Sequence, residues 1–333
     1  MNKTPTPKPA AQYMRLGDAL TELRADADAN HAAKISGKPR GPITGFPRLD
    51  AAISNRLSRG LHGIYGNAGA GKTALAMQIG TSCGFPALYV TCEMAPSELL
   101  LRHTARITQT YLGRLKSGEM TGEQVVNLAL RGAAAAPNFC FLDATRFPAS
   151  PDRIRECASM ARGKEPHVLI VIDSLQSWAE TMLSAVADEA AQEAAAKGQP
   201  APRDYGGSEY EILNQGILAL RTMAHDLNAP ILFISERNRE SMKSGGLNAG
   251  AGSRKIEYGA ESVFDLDRDM NEQPNGAGEH LINLRIPKNR HGIQGVEIPL
   301  FFNGALQQFR EQTTEEAIGA ASKNNAARNG ARR

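Results

Sequence analysis

The sequence predicts an α/β protein with a mainly parallel central sheet flanked by helices and a C-terminal antiparallel β extension. Three observations carry that expectation. From Ile43 onward, short β-rich runs alternate with helical stretches, the rhythm of strand–helix–strand units. The runs HVLIVID and PILFIS are apolar without alternation, as strands covered by helices on both faces must be. Beyond Val263 only strand-like segments remain, SVFDLD, HLINLRIP, GVEIPLFF and ALQQFR, separated by turn residues, which predicts hairpins at one side of the sheet.

In chain order, residues 1–40 read as an arm. The first twelve are polar and Pro-rich, which predicts disorder, and Tyr13, Leu16, Leu20 and Leu23 then recur at helical spacing before the linker SGKPRGP. An amphipathic stripe alone is compatible with packing on its own domain or on a neighbouring subunit. Residues 41–311 read as one domain: LHGIYG, a helix from Lys72, ALYVTC, a helix from Pro96, NFCFLD, a helix from Pro151, HVLIVID, a helix near 209–227, PILFIS, then the β extension. Two stretches break the rhythm, the Ala/Glu-rich 179–208 and the Gly-, Ser- and base-rich 237–256. Both follow the C-terminal ends of predicted strands, where open α/β sheets bind ligands, so both are expected to be long functional loops. Residues 312–333 read as a disordered basic tail ending in ARNGARR.

Composition narrows the function classes. The 333 residues are 41% apolar, enough for a sizeable core, and 38 basic against 35 acidic residues give a net +3 that neither requires nor excludes nucleic acid. The four cysteines contain no Cys-x-x-Cys pair, which argues against a structural zinc or a disulfide framework and for a reducing, cytoplasmic setting. No signal-peptide-like segment and no run of about 18 apolar residues occurs, so no membrane association is expected.

The chemistry is concentrated in Gly66-Asn67-Ala68-Gly69-Ala70-Gly71-Lys72-Thr73, between a predicted strand and a predicted helix. That context is the one a phosphate-binding loop needs. The glycines let the backbone turn and aim N–H groups at phosphate oxygens at a helix N-terminus. Lys72 would meet the β and γ phosphates of ATP, and Thr73 would ligate Mg²⁺. Asp173, ending the apolar strand HVLIVID, is the expected acidic partner of the metal. Glu93, ending ALYVTC next to the phosphate-loop strand if the sheet has the usual order, is the expected catalytic base. The bland alternative is a solvated glutamate capping the helix near Pro96.

In order, GFPRLDAAI at 45–53, the phosphate loop, YVTCEM at 89–94, VIDSLQ at 171–176, NAPILFISERNR at 228–239, SRKIEYGAESVFDLDR at 253–268 and PKNRHG at 287–292 resemble the ATPase domain of DnaB-type replicative helicases. The RadA and RecA recombinases are near relatives of that domain. The resemblance covers about 270 residues and implies a RecA-like P-loop NTPase core, a hexameric ring of identical subunits with ATP between neighbours, and single-stranded DNA in the channel. It matches Glu93 to the family's catalytic glutamate, and Lys288 and Arg290 to a basic pair reaching into the adjacent subunit's site. It also sets Arg237, Arg239, Lys243, Arg254 and Lys255 where such rings present DNA-binding loops; a flexible subunit-contact loop is the competing reading.

The sequence departs from the pattern in three ways. Glu236 stands where the helicases carry a γ-phosphate-sensing glutamine, and an acid there repels phosphate unless protonated or bound to a cation. The large primase-recruiting N-terminal domain has no counterpart beside the arm 1–40, which speaks against a loader-dependent chromosomal helicase. The zinc motif and protease-like domain of bacterial RadA are missing too, and the insertion 179–208 is unusual for either group. The leading expectation is therefore a single-stranded-DNA translocase or helicase in replication of a phage, plasmid or mobile element. The alternatives are a recombination or DNA-repair ATPase that does not unwind, and an ATP-switched scaffold without DNA.

Overall fold

The computed structural model describes residues 13–197, 209–236, 259–269 and 273–319. The chain divides into two units, residues 1–40 and residues 41–333. In the first, a short 3-10 turn at Leu16–Ala19 leads into helix α1, Leu20–Ser36, which ends at Gly37 in the left-handed conformation (φ 67°). Arg40 turns back on this helix and donates to Asn30 Oδ1 (2.8 Å) and to Asp26. Tyr13, Leu16, Leu20 and Leu23, the predicted apolar stripe, are all exposed.

The second unit is built on a sheet of nine strands among the described residues. These are β1 (Gly60–Gly66), β2 (Ala87–Thr91), β3 (Phe139–Asp143), β4 (Leu169–Asp173), β5 (Pro230–Glu236), β6 (Ser262–Arg268), β7 (His280–Asn289), β8 (Val296–Asn303) and β9 (Gln308–Glu311). Their order is β3-β2-β4-β5-β1-β6-β7-β8-β9. The strands from β3 to β6 are parallel, and β6 to β9 are paired antiparallel, as the change of pattern beyond Val263 predicts.

The unalternating apolar runs have the expected cause. In β4, Leu169 and Val171 enter one core, with Leu75 and Ile79 of helix α3 (Lys72–Ser82); Ile170 and Ile172 enter the other, with Trp178, Leu220 and Met223. Successive side chains point to opposite faces, so a strand buried on both must be apolar throughout. Leu220 and Met223 lie on α9 (Glu209–Asp226), and Ile154 and Ala158 of α7 (Pro151–Arg162) complete that second layer.

Three expectations need correction. The strand ending before Glu93, β2, does not neighbour β1; β4 and β5 lie between them. The place beside β1 is taken by β5 over seven register pairs from Gly60↔Pro230 to Gly66↔Glu236. A side chain at Gly63 would meet the Phe233 ring at 2.8 Å, so the bare backbone is what admits that aromatic of β5.

The stretch 179–208 is not a loop from its start: helix α8 runs Leu175–Ala196 without a break. Alanine is the best helix former, so Ala/Glu richness marked a helix here, and its remainder at 198–208 lies outside the described residues. Between β2 and β3, finally, there is not one helix but three: α4 (Pro96–Thr108), α5 (Leu112–Lys116) and α6 (Gly122–Ala135), the last begun by a capping box between Thr121 and Gln124. The remaining helix, α2 (Pro47–Ala52), precedes β1.

Candidate active site

The sheet gathers the chemistry at the C-terminal ends of its parallel strands. β1 ends at Gly66, and the loop that follows delivers Gly71 in the left-handed conformation (φ 89°) as the residue before α3. A side chain on Gly71 would also meet the Phe309 ring at 2.8 Å, so glycine is required there by conformation and by space. Arg268, at the end of β6, donates to the Gly69 carbonyl (3.0 Å) and braces the loop from the side. Lys72 folds over the loop, its Nζ 3.0 Å from the Gly66 carbonyl and 3.2 Å from that of Asn67. Asn67, in turn, accepts from the Ala70 N–H (3.2 Å), closing a tight turn through Ala68 and Gly69.

Asp173, the last residue of β4, is buried beside this loop. It accepts from the Thr73 hydroxyl and, at Oδ2, from the Tyr89 hydroxyl (2.6 Å). Burial raises the carboxyl above its ordinary range, opposed by those two hydrogen bonds and by the Lys72 charge. Burial, then the Asp173 charge, likewise drives the Tyr89 hydroxyl well up, so it remains a donor. Thr73 and Asp173 thus offer adjacent hard oxygen donors with a lysine close by, a donor set that would suit a magnesium ion.

Glu93 enters because β2 pairs with β4 in the register Thr91↔Asp173, and the Cys92 N–H extends the ladder onto the Asp173 carbonyl (2.8 Å). That register carries Glu93 beside Ser174. One carboxylate oxygen of Glu93, Oε1, accepts from Ser174 Oγ (2.7 Å) and from Ser177 Oγ (2.6 Å). A cleft of about 350 Å³ joins these groups, lined by Gly69, Gly71, Lys72, Thr73, Glu93 and Asp173 on one side and by Arg102, Phe302 and Gln307 on the other. Arg102 is held by Glu98 (3.1 Å) and Gln307 (2.9 Å). Burial works to raise the Glu98 carboxyl, but its bonds to Lys116 and Arg102 prevail and hold it below the ordinary range.

Other predicted site residues lie elsewhere. Glu236 pairs in register with Gly66, at the first residue of the loop. Lys288 does not approach the cleft of its own chain: it pairs with Val263, which pairs with Gly63, three residues before Gly66. That separation is about 10 Å along the sheet at ~3.3 Å per residue, and Arg290 lies two residues farther still. Arg290 forms an ion pair with Glu261 (3.7 Å). Arg237, Arg239, Lys243, Arg254 and Lys255 fall outside the described residues. Sequence reasoning missed Tyr89, Ser174, Ser177, Arg102, Gln307 and Arg268. Only Ser177 carried a local signal, its spacing of three residues from Ser174 at a helix start.

A Gly-rich loop closing β1, an acid at the end of β4 two strands away and a mainly parallel 3-2-4-5-1 sheet are the arrangement of a RecA-like P-loop ATPase domain. More particularly, residues 41–199 match the family model described as DnaB-like helicase C terminal domain. Two solved structures share the fold. One is an ATPase domain, at TM-score 0.69 and 17% identity, covering 91% of this chain and 100% of that one. The other is a DnaB-like replicative helicase described with its interactions with primase, at TM-score 0.68 and 17% identity, covering 91% of this chain and 68% of that one. No curated protein sequence matches the chain. Among the described residues, no helix is long and apolar enough to cross a membrane.

Proposed function

We propose that this chain is an ATP-driven single-stranded-DNA translocase and DNA helicase, working as a hexameric ring in the cytoplasm in replication of a phage, plasmid or mobile element. The observation that carries the ring is the position of Lys288, level with the middle of β1, and of Arg290 two residues farther from their own phosphate loop. Two cations matched to a phosphate-reaching pair, yet remote from the cleft of their own chain, have their use in a neighbour's cleft. A guanidinium there offsets charge developing on the γ phosphate during transfer.

Within one subunit the residues divide the work. Backbone N–H groups of Gly66–Thr73 receive the phosphates, and Lys72 leaves the Gly66 and Asn67 carbonyls to meet the β and γ oxygens. Thr73 and Asp173 would hold Mg²⁺, which would supply charge that polarises the phosphates. Glu93, facing the cleft, accepts the proton of the attacking water. Glu236, beside Gly66, takes the place of a γ-phosphate sensor and brings an acid into that role. DNA phosphates are met by Arg237, Arg239, Lys243, Arg254 and Lys255.

The test is ATP hydrolysis with and without single-stranded DNA, with Glu93→Gln as the control. Strong stimulation that weakens steeply as salt rises supports the reading, because phosphate contacts release counterions. Equal turnover with and without DNA at low salt refutes it.

A further inference from the structure

The Glu93 carboxylate is held by a built arrangement that its assignment as base does not explain. Ser174 precedes α8, and Ser177 lies in its first turn. The Ser177 N–H donates to Ser174 Oγ (3.3 Å), and the Trp178 N–H to the Ser174 carbonyl (2.9 Å), so Ser174 caps the helix. The two hydroxyl oxygens lie 2.8 Å apart, and both reach the same oxygen, Glu93 Oε1.

An ionised carboxylate only accepts, so each hydroxyl contact to Glu93 is a donation from serine. Three oxygens in mutual contact share two hydroxyl hydrogens when Glu93 is ionised. Ser174 accepts the Ser177 N–H at its Oγ and donates its own hydrogen to the carboxylate. Ser177 then donates its own hydrogen along the shortest of the three contacts, 2.6 Å, also to Oε1. Oε1 is saturated, whereas Oε2 receives no hydrogen bond among the described residues.

We infer that Ser174 and Ser177 form a hydroxyl clamp that positions Glu93 for water activation, committing Oε1 and presenting Oε2 to the nucleophile. Ser177 is a positioning residue, acting only through Glu93. The inference rests on the assignment of Glu93 as base. Its physical source is rotamer freedom: a glutamate has three side-chain torsions to hold, and a base must meet its water within hydrogen-bonding distance. Ser177 rides on the first turn of a 22-residue helix, so its hydroxyl is a fixed point.

The test is a double-mutant cycle on the full chain, in steady-state and single-turnover ATP hydrolysis. Ser177→Ala is expected to lower kcat roughly tenfold, the scale of one hydrogen bond to a charged group, with KM for ATP within about twofold. Ser177→Thr, which keeps the hydroxyl, is expected to restore most of the rate. In a Glu93→Gln background, Ser177→Ala is expected to cost nothing further. Wild-type kcat in Ser177→Ala, a threonine variant as slow as alanine, or equal losses in both backgrounds each overturn the clamp. Wild-type turnover in Glu93→Gln overturns instead the assignment of the base. Should the alanine variant fail to fold, Ser177→Cys keeps the volume, weakens the donor and repeats the comparison.

Discussion

Tyr89 and Asp173 are joined across adjacent strands by a 2.6 Å hydrogen bond, the phenol in β2 donating to the carboxylate that ends β4. Tyr89 is fully buried, and the bond opposes the burial that pushes the Asp173 carboxyl upward. Tyr89→Phe removes the opposition and makes the carboxylate a poorer metal ligand. The magnesium concentration for half-maximal hydrolysis is then expected to rise roughly tenfold, as a hydrogen bond to a charged group is worth about 1.5–3 kcal/mol. A magnesium titration of ATPase rate checks this, and an unchanged midpoint contradicts it.

Lys72 bridges the Gly66 and Asn67 carbonyls. Lys72→Ala removes both that brace and the charge for the β and γ phosphates. Hydrolysis is expected to fall by at least about a hundredfold, on the scale of lost electrostatic transition-state stabilisation. Single-turnover hydrolysis at saturating ATP measures it.

Lys288 and Arg290 do not line the cleft of their own chain, so on the proposed ring their loss should be complemented by a different subunit. Arg290→Ala and Lys72→Ala proteins are each expected to be inactive alone. Mixed under subunit exchange, they form some interfaces with an intact loop from one subunit and an intact arginine from the other, and part of the activity returns. A mixture as inactive as its components shows that Arg290 does not act in trans.

His62 makes stability pH-dependent. Its Nε2 donates to the Ser58 carbonyl (2.7 Å), and its Nδ1 lies 2.7 Å from the Ser262 hydroxyl, which can donate to the neutral ring. Burial pushes its pKa down to about 4. The unfolded chain takes up a proton below pH ~6.5, whereas the folded chain does not until about pH 4. Stability from this residue is therefore complete above pH ~6.5 and is lost as the pH falls towards 4, by about 3 kcal/mol in all. His103, lowered to about 4 by burial and the Arg106 charge, acts in the same direction. Urea melts at pH 7 and pH 5 should differ, and His62→Gln should shrink the difference.

Much of this molecule was legible in its sequence because the signals are local. The unbroken run Leu169–Asp173 is the strand buried on both faces that its pattern predicts, and Gly66–Thr73 does lie between a strand and a helix, the setting a phosphate loop needs. The switch to antiparallel pairing after Val263 was visible because hairpins need only turns. The same locality misled at 179–196, where interruption of the strand rhythm suggested a loop although the alanines favoured the helix that forms.

The sequence alone determined which segments become strands and helices in most of the domain, and that its phosphate loop belongs to an ATPase. Tertiary structure decided which strand stands beside which, because strand order follows from how side chains such as Phe233 fit against Gly63 over long separations. It therefore also decided what surrounds Glu93: pairing of β2 with β4, rather than with β1, sets that carboxylate on Ser174 and Ser177, more than 80 residues away along the chain.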